Sequence, residues 1–275
     1  MGFLTRGRND VKKWASVIRG FLFVIALAVF LFSAYKLYAI YAEYRKGEKE
    51  YEEVMENAIT QDVIADENGE TEEVIFSVDF KKLKATNKEV VAWVRFDNPV
   101  QISYPVLQGK DNAKYLNTTF EGKQNSAGAI FMDVANKNDF SNKNTILYGH
   151  NMKNRSMFGG LREYKQKAFY EENPYFYIYT PDGMEHKYQI FAVAIVEDTA
   201  VNYQKSFGNE QEFSTFLNQV QKKALYGTGV QVNSDSQVLT LSTCTNVTDT
   251  QRLVVHGVKI DERVMGETKW QINTK

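Results

Sequence analysis

The feature that most restricts how this chain can fold is an uncharged run near its N-terminus. Residues 20–35 (GFLFVIALAVFLFSAY) contain no charged side chain, and apolar character continues past Lys36 to residue 42. About twenty helical residues cross a hydrocarbon core of roughly 30 Å. Five basic residues and one acidic residue precede the run. Because basic flanks stay on the cytoplasmic side, the sequence predicts one membrane helix with a cytoplasmic N-terminus and an extracellular body.

A cleaved signal peptide is the alternative for this N-terminus. Signal peptides share the basic flank, but their apolar core spans about 7–15 residues and ends at a small-x-small cleavage site. The run here is longer and no clear A-x-A follows it, which favours an uncleaved anchor. We therefore expect a basic cytoplasmic tail (1–19), a transmembrane anchor (20–42), an acidic extracellular spacer (43–75) and a folded extracellular domain (76–275).

The spacer is strongly acidic. Residues 41–75 carry twelve acidic side chains against three basic ones. A charge run of this kind is usually a solvated surface, so no site is assigned to it. We expect a helix over 41–58 and looser structure over 62–73, holding the following domain away from the bilayer.

Charge and cysteine content exclude several classes of function. Residues 76–275 carry 24 basic and 21 acidic side chains, which is not the strongly basic balance of a nucleic-acid-binding domain. The single cysteine, Cys244, excludes an intramolecular disulfide, and with three histidines it excludes a cysteine-rich zinc site. Residues 133–139 offer oxygen ligands without the spacing and glycine of a calcium loop. We therefore expect no nucleic-acid partner, no metal and no cofactor.

The body reads as mostly β. Short runs rich in β-branched and aromatic residues alternate with turn residues, a pattern typical of strands. These runs are 90–96, 102–107, 129–132, 145–148, 175–180, 188–196, 238–243 and 253–260. Helical patterns cover 157–169 and 212–225, the second with apolar residues at three- and four-residue spacing. Eight strands with helices between them predict a closed or nearly closed barrel with peripheral helices.

Cys244 and Arg252 are predicted to be neighbours. Cys244 ends one strand, Arg252 opens the next, and the seven residues between them (TNVTDTQ) are turn-like. A hairpin would bring the two residues together at one end of the sheet. A guanidinium beside a thiol favours the thiolate and offers donors to an oxyanion.

A nucleophilic cysteine also needs a proton partner, and three histidines are candidates. His150 follows the strand 145–148, where a strand-end loop could present it at a site. His186 lies in a polar turn and is expected to be a solvated loop residue. His256 lies about 13 Å along the strand from Arg252, too far from the Cys244 end. His150 is therefore favoured, although a buried inert cysteine beside a structural histidine stays open on these arguments.

Several runs together resemble the sortases, cysteine transpeptidases of Gram-positive cell surfaces. The most specific are LYGHNM at 147–152, TLSTC at 240–244 and the following Arg252. Further matches, in sortase order and spacing, are Trp93, ISYPV at 102–106, QGKDN at 108–112, Tyr115 with Leu116, and GAIFMD at 128–133. The match spans about residues 76–262. The N-terminal anchor and the helix before the cysteine strand resemble class B sortases in particular.

The resemblance implies an eight-stranded sortase-type β-barrel at 76–275 and a reaction in two halves. The Cys244 thiolate would attack a threonine carbonyl within a C-terminal sorting motif, NPxTx-like in class B, and give a thioester. His150 would protonate the leaving amine and later deprotonate the incoming one. Arg252, with backbone N–H groups near Thr245, would stabilise the oxyanion.

The resemblance also implies a substrate groove and partners. Asn112, Leu116, Ser242 and Thr245 fall where class B enzymes bind substrate; Asn112 and Leu116 could instead be ordinary turn and core residues, and Ser242 could only satisfy a backbone group. A departure is Asn246, in a short loop where an acidic residue is often found. The implied partners are surface proteins with a sorting signal, a peptidoglycan cross-bridge amine or lipid II, and the membrane. An extracellular cysteine protease and a non-catalytic surface-binding barrel are the alternatives.

Overall fold

The computed structural model of the chain describes residues 4–65, 72–99, 102–244 and 250–266. Residues 1–46 and 47–275 form two compact units. Helix α1 begins at Leu4 and ends at Ala58. Its residues up to 46 belong to the first unit and its residues from 47 to 58 belong to the second. Within 17–58, a window of this helix reaches a mean hydropathy of 2.4 and none of it is buried. By length and composition it is a candidate membrane span, a test that a signal sequence also passes.

The second unit begins with the last three turns of α1. Glu50, Tyr51, Val54 and Ala58 are buried in this unit, so this part of the predicted spacer packs against the folded body. The helix ends at residue 58 as expected. The looser structure expected for 62–73 was wrong in part, because strands β1 (Ile59–Ala65) and β2 (Glu72–Val78) pair as an antiparallel hairpin.

The remaining strands form a closed barrel. They are β3 (Val90–Arg95), β4 (Ser103–Leu107), β5 (Ile130–Met132), β6 (Asn144–Tyr148), β7 (Tyr175–Tyr179), β8 (Met184–Glu197), β9 (Val238–Cys244) and β10 (Gln251–Val264). Around the barrel their order is β10-β8-β7-β3-β4-β5-β6-β9, closed by the β9–β10 pair. The pairs β4–β5 and β6–β9 are parallel and the others antiparallel. The predicted eight-stranded barrel is confirmed.

Large apolar side chains are buried on both faces of the barrel wall. Trp93, Phe176 and Ile178 have almost no exposed surface, and burial of such side chains is the main favourable term in folding. The Trp93 indole N–H donates to Ser103 Oγ at 3.0 Å, so its one polar atom is satisfied. This packing fixes the strand registers, because a slip of one residue would move each buried side chain to the opposite face of the barrel wall.

The remaining helices come between strands in the sequence. Helix α2 (Phe80–Thr86) follows β2, and helix α4 (Glu210–Lys222) covers the predicted 212–225 segment. The Asn209 side chain caps α4 by accepting from the Glu212 N–H at 2.9 Å. Its apolar face packs on the barrel through Phe213, Phe216, Leu217 and Val220. The predicted helix at 157–169 is instead a 3-10 helix (Phe158–Lys165) followed by α3 (Lys167–Glu172), with Gln166 extended between them.

Candidate active site

Three neighbouring strand ends bring the predicted catalytic residues together. In the antiparallel β9–β10 pair, Cys244 lies directly opposite Arg252, as the predicted hairpin requires. In the parallel β6–β9 pair, Tyr148 lies opposite Ser242. Two residues further along each of these strands come His150 and Cys244, so the parallel register carries both to the same end of the barrel. His150, Cys244 and Arg252 therefore sit on adjacent strands at one rim.

The backbone before His150 depends on a close approach. The Gly149 N–H donates to the Ser242 carbonyl at 3.1 Å and extends the β6–β9 pairing past the end of β6. A Cβ atom at Gly149 would lie 2.4 Å from Ile130 Cδ1 and 2.7 Å from the Phe158 ring. Only glycine fits between these two side chains, and this tight packing sets where the His150 imidazole begins.

The His150 ring is held by a backbone carbonyl. Its Nε2 lies 2.6 Å from the oxygen of Leu116, in the 3-10 turn Lys114–Leu116. Because a carbonyl oxygen only accepts, Nε2 carries the proton in this contact. In the neutral ring Nδ1 is then the basic nitrogen, so the hydrogen bond selects the tautomer as well as the orientation.

The Arg252 guanidinium is oriented by an acidic side chain. One of its terminal nitrogens lies 3.4 Å from Asp198 Oδ2, and the other donates to the Gln251 carbonyl at 3.1 Å. The Arg252 side chain is 22 % exposed and that of Asp198 40 % exposed. Asp198 was missed by the sequence analysis. The β8–β10 register, in which Arg252 pairs with Val196, is the signal that places it nearby.

A cavity of about 420 Å³ lies at this rim. Its lining residues are Asn112, Leu116, Phe131, Asp133, Tyr148, Gly149, His150, Asp198, Tyr203, Lys205, Ser242, Thr243 and Arg252. It thus brings together His150, Arg252 and the three predicted groove residues that the structure describes. Leu116 is 40 % exposed, so it is not a core residue. Thr245 and Asn246 lie outside the described residues.

A buried carboxylate organises one wall of the cavity. Asp133 Oδ2 accepts from the Tyr148 hydroxyl at 2.8 Å, the Asn112 amide at 3.2 Å and the Lys205 ammonium at 3.2 Å. Burial alone would raise the pKa of Asp133, but the Ala135 N–H, the Tyr148 hydroxyl and the Lys205 charge outweigh it and lower the pKa. Asp133 is therefore an anion that fixes Asn112 and Lys205 in place.

A second wall is held by hydroxyl groups. The Tyr203 hydroxyl lies 2.8 Å from Ser242 Oγ, so Ser242 bonds a side chain rather than only the backbone. The sequence analysis also missed Tyr203 and Lys205, and it assigned Asp133 no role at the site. Tyr203 ends a single 3-10 turn (Val201–Tyr203) after β8, and Lys205 follows that turn. Segments this short show no periodic pattern that tells which side chains face the cavity.

The other two histidines are structural. His186 was expected in a solvated loop, and this was wrong: it lies in β8 with its side chain 14 % exposed and Nδ1 3.3 Å from Glu262. Burial and the Lys259 charge lower its pKa. His256 is fully buried, with its ring nitrogens 2.9 Å from the Asn202 amide and 2.9 Å from Thr240 Oγ1. Neither ring lines the cavity.

The neutral state of His256 makes an acid-sensitive contribution to stability. Burial lowers its pKa to about 3, against about 6.5 in the unfolded chain. The contribution is therefore complete well above pH 6.5 and is lost as the pH falls, by roughly 3 kcal/mol at pH 4.5. Urea unfolding of the full chain in detergent at pH 7.5 and 4.5 measures this loss. In His256→Gln the pH dependence should be shallower, and an equally steep loss would show that other groups cause it.

The groups that could bind a metal are sparse in the described part of the chain. Among residues 4–65, 72–99, 102–244 and 250–266, no three His, Cys, Asp or Glu side chains are grouped to hold an ion. The three predicted catalytic residues are of types that supply a thiol, an imidazole and a guanidinium. Such a set can form and break an acyl–sulfur bond with proton transfer and oxyanion stabilisation.

The closed barrel and this rim define a cysteine acyl-transfer enzyme. A family model described as "Sortase domain" matches residues 98–260. The chain belongs to the sortase family, whose members are cysteine transpeptidases of the cell wall. The non-catalytic barrel considered from sequence is therefore set aside.

Comparison with individual proteins places the chain beside sortase B. It is 33 % identical to Sortase B of Listeria monocytogenes over 247 residues, covering 86 % of this chain and 94 % of the relative. It is 36 % identical to Sortase B of Staphylococcus aureus over 180 residues, covering 64 % and 72 %. The class B resemblance drawn from the sequence motifs is confirmed.

Solved structures agree with this assignment. Sortase B of B. anthracis in complex with AAEK1 superposes with a TM-score of 0.66 at 31 % identity, covering 80 % of this chain and 98 % of that one. A substrate complex of S. aureus sortase B gives 0.62 at 33 % identity, covering 66 % and 84 %. A sortase B complexed with triglycine gives 0.62 at 32 % identity, covering 68 % and 86 %.

Proposed function

We propose that this chain is a membrane-anchored class B sortase that cleaves an NPxTx-like sorting motif after its threonine and transfers the protein to a cell-wall amine. The observation that carries the proposal is the meeting of His150, Cys244 and Arg252 at the ends of three adjacent strands. Asn112, Leu116 and Ser242 line the same cavity, which supports their role in holding the substrate beside the thiol.

In the first half-reaction the Cys244 thiolate attacks the threonine carbonyl carbon. A C–S bond forms, and the carbonyl electron pair moves to oxygen. The Arg252 guanidinium, held by Asp198, stabilises this oxyanion together with backbone N–H groups near Thr245. The C–N bond then breaks, the leaving amine takes a proton from the His150 imidazolium, and the thioester remains on Cys244.

In the second half-reaction an acceptor amine attacks the thioester carbonyl. His150 removes the proton from the attacking nitrogen, and the oxyanion forms again beside Arg252. The C–S bond breaks, an amide forms, and the thiolate is regenerated. The acceptor is the amine of a peptidoglycan cross-bridge or of lipid II. The triglycine in a sortase B complex supports a short glycine peptide as a soluble substitute.

The proposed membrane topology follows from the N-terminal charges. Residues 1–19 form the cytoplasmic tail, 20–42 the anchor, 43–75 the acidic extracellular segment and 76–275 the catalytic domain. The exposed apolar window of α1 supports the anchor, and the basic flank supports this orientation.

The experiment that tests the function separates transfer from hydrolysis. The full chain in detergent micelles is given an NPxTx peptide with and without triglycine, and products are identified by mass spectrometry. We expect a peptide joined through threonine to triglycine, and slower turnover of an LPxTG peptide. A free threonine carboxylate as the only product, at a rate that triglycine does not change, would show a cysteine protease instead.

A further inference from the structure

Tyr51 lies on α1, outside the cavity, and its hydroxyl is fully engaged. The residue is only 7 % exposed. Its hydroxyl donates to the Gly128 carbonyl at 2.7 Å and accepts from the Phe120 N–H at 3.2 Å. Both partners belong to the segment between the Lys114–Leu116 turn and β5. Helix α1 is therefore bound by two hydrogen bonds to the segment that follows Leu116.

One route from Tyr51 to His150 passes through the Leu116 carbonyl. Gly128 adopts a φ of +56° and lies so close to this turn that a Cβ would be 2.4 Å from the Tyr115 oxygen and 2.7 Å from the Leu116 oxygen. The Leu116 oxygen is the atom that accepts the His150 Nε2 proton. A shift of the Gly128 backbone therefore displaces the acceptor that orients the imidazole, because nothing separates the two groups.

A second route supports the loop that carries His150. The Tyr51 ring packs edge-on against Tyr104, with centroids 5.3 Å apart. The Tyr104 hydroxyl accepts from the Met157 N–H at 3.1 Å. Met157 and Phe158 return the loop to His150, whose own carbonyl accepts from the Phe158 N–H at 3.0 Å. Tyr51 therefore supports both the Leu116 carbonyl that accepts from the His150 ring and the loop that carries the His150 backbone.

An exposed hydrogen bond also joins helix α1 to the loop that follows His150. The Asn154 amide donates to Glu48 Oε1 at 2.7 Å, so α1 also touches the middle of the His150 loop. Since Glu48 and Tyr51 are three residues apart, they lie on one face of the helix. That face, rather than a single atom, meets both segments that flank the imidazole.

We propose that Tyr51 is a positioning residue for the His150 imidazole, so that the end of the anchor helix sets the geometry of proton transfer. The inference rests on the proposed function for its effect on turnover, but the placement of the ring can be measured without it. The hydroxyl is the part that matters: it holds Gly128 and Phe120, whereas the ring contact with Tyr104 survives in phenylalanine.

The test compares Tyr51→Phe with Tyr226→Phe in the full chain in detergent micelles. The Tyr226 hydroxyl donates to the Tyr164 carbonyl at 2.6 Å, so the control loses a bond of the same kind that does not touch Gly128 or Phe120. Melting temperatures should fall by similar amounts in the two variants. Histidine labelled with ¹⁵N reports the Nε2–H proton of His150, assigned by its disappearance in His150→Ala.

We expect Tyr51→Phe to lower kcat for ligation about tenfold, since small misplacements of a catalytic group have large effects. Its His150 Nε2–H signal should be lost to exchange with water. Tyr226→Phe should keep both within twofold of the original chain. An unchanged His150 Nε2–H signal in Tyr51→Phe overturns the inference, whatever the ligation rate. A lost signal together with a kcat within twofold of the original chain overturns it as well. If the unmodified chain ligates no peptide, the proposed function fails, while the signal still decides whether Tyr51 places the ring.

Discussion

Replacing Cys244 by alanine is expected to abolish ligation of the sorting peptide, with a loss of more than about 10⁴-fold in kcat. No other cysteine is present to replace it, and an alanine methyl group forms no acyl intermediate. The chain should still fold, because Cys244 ends a strand whose register is fixed by the buried residues before it. The measurement is mass spectrometry of peptide and triglycine after prolonged incubation, together with a thermal unfolding curve.

Arg252→Ala is the matched comparison for the cysteine variant. It leaves the nucleophile in place and removes one source of oxyanion stabilisation, so we expect a loss of about 10²- to 10³-fold rather than a complete one. A maleimide should add once to the Arg252→Ala chain and not at all to Cys244→Ala. Ligation by Cys244→Ala at a measurable fraction of the original rate would refute the thioester mechanism.

The second large effect is expected at His150. His150→Gln should lower kcat by about 10²- to 10⁴-fold, the range for loss of a general acid and base. The glutamine amide can still donate to the Leu116 carbonyl, so the variant removes proton transfer and keeps the hydrogen bond. Ligation rates at saturating triglycine, measured beside the melting temperature, separate loss of chemistry from loss of fold.

His186→Gln is the control for the histidine variant. It also replaces a partly buried ring, but one in β8 that does not line the cavity. We expect its ligation rate to stay within twofold of the original. Equal losses in the two variants would show that histidine replacement harms the barrel generally, and an unimpaired His150→Gln would remove His150 from the mechanism.

The barrel and the three proposed catalytic positions could be predicted because their signals are local. Each strand from β3 to β10 shows as a run of β-branched and aromatic residues. A short turn-like link placed Cys244 opposite Arg252, and the β9–β10 register confirms that pairing. The position of His150 directly after a strand was also visible. The parallel β6–β9 pairing was not, because its two strands are far apart in the sequence.

Other features depend on tertiary contacts that no local pattern reveals. The charges of the 43–75 segment indicated a solvated spacer, yet Tyr51 and Val54 on one helical face are buried in the body. His186 looked like a turn residue, but β8 extends back to Met184 through pairing with β10. The role of Asp198 becomes visible only from its contact with the Arg252 side chain, which lies on the neighbouring strand. Each of these required knowledge of which element lies next to which.

The parallel pairing of β6 with β9 also controls the order in which the site can be completed. The strands β7 and β8 and helix α4 lie between them in the chain, so this pairing is a long-range contact, whose formation is slowed by the entropy of closing a long loop. The thiol and the guanidinium both belong to the last two strands of the barrel. During synthesis, His150 is therefore made long before Cys244 and Arg252, and a chain interrupted ahead of β9 contains no cysteine. In the proposed mechanism, no substrate can acylate Cys244 before β9 has been made and paired with β6.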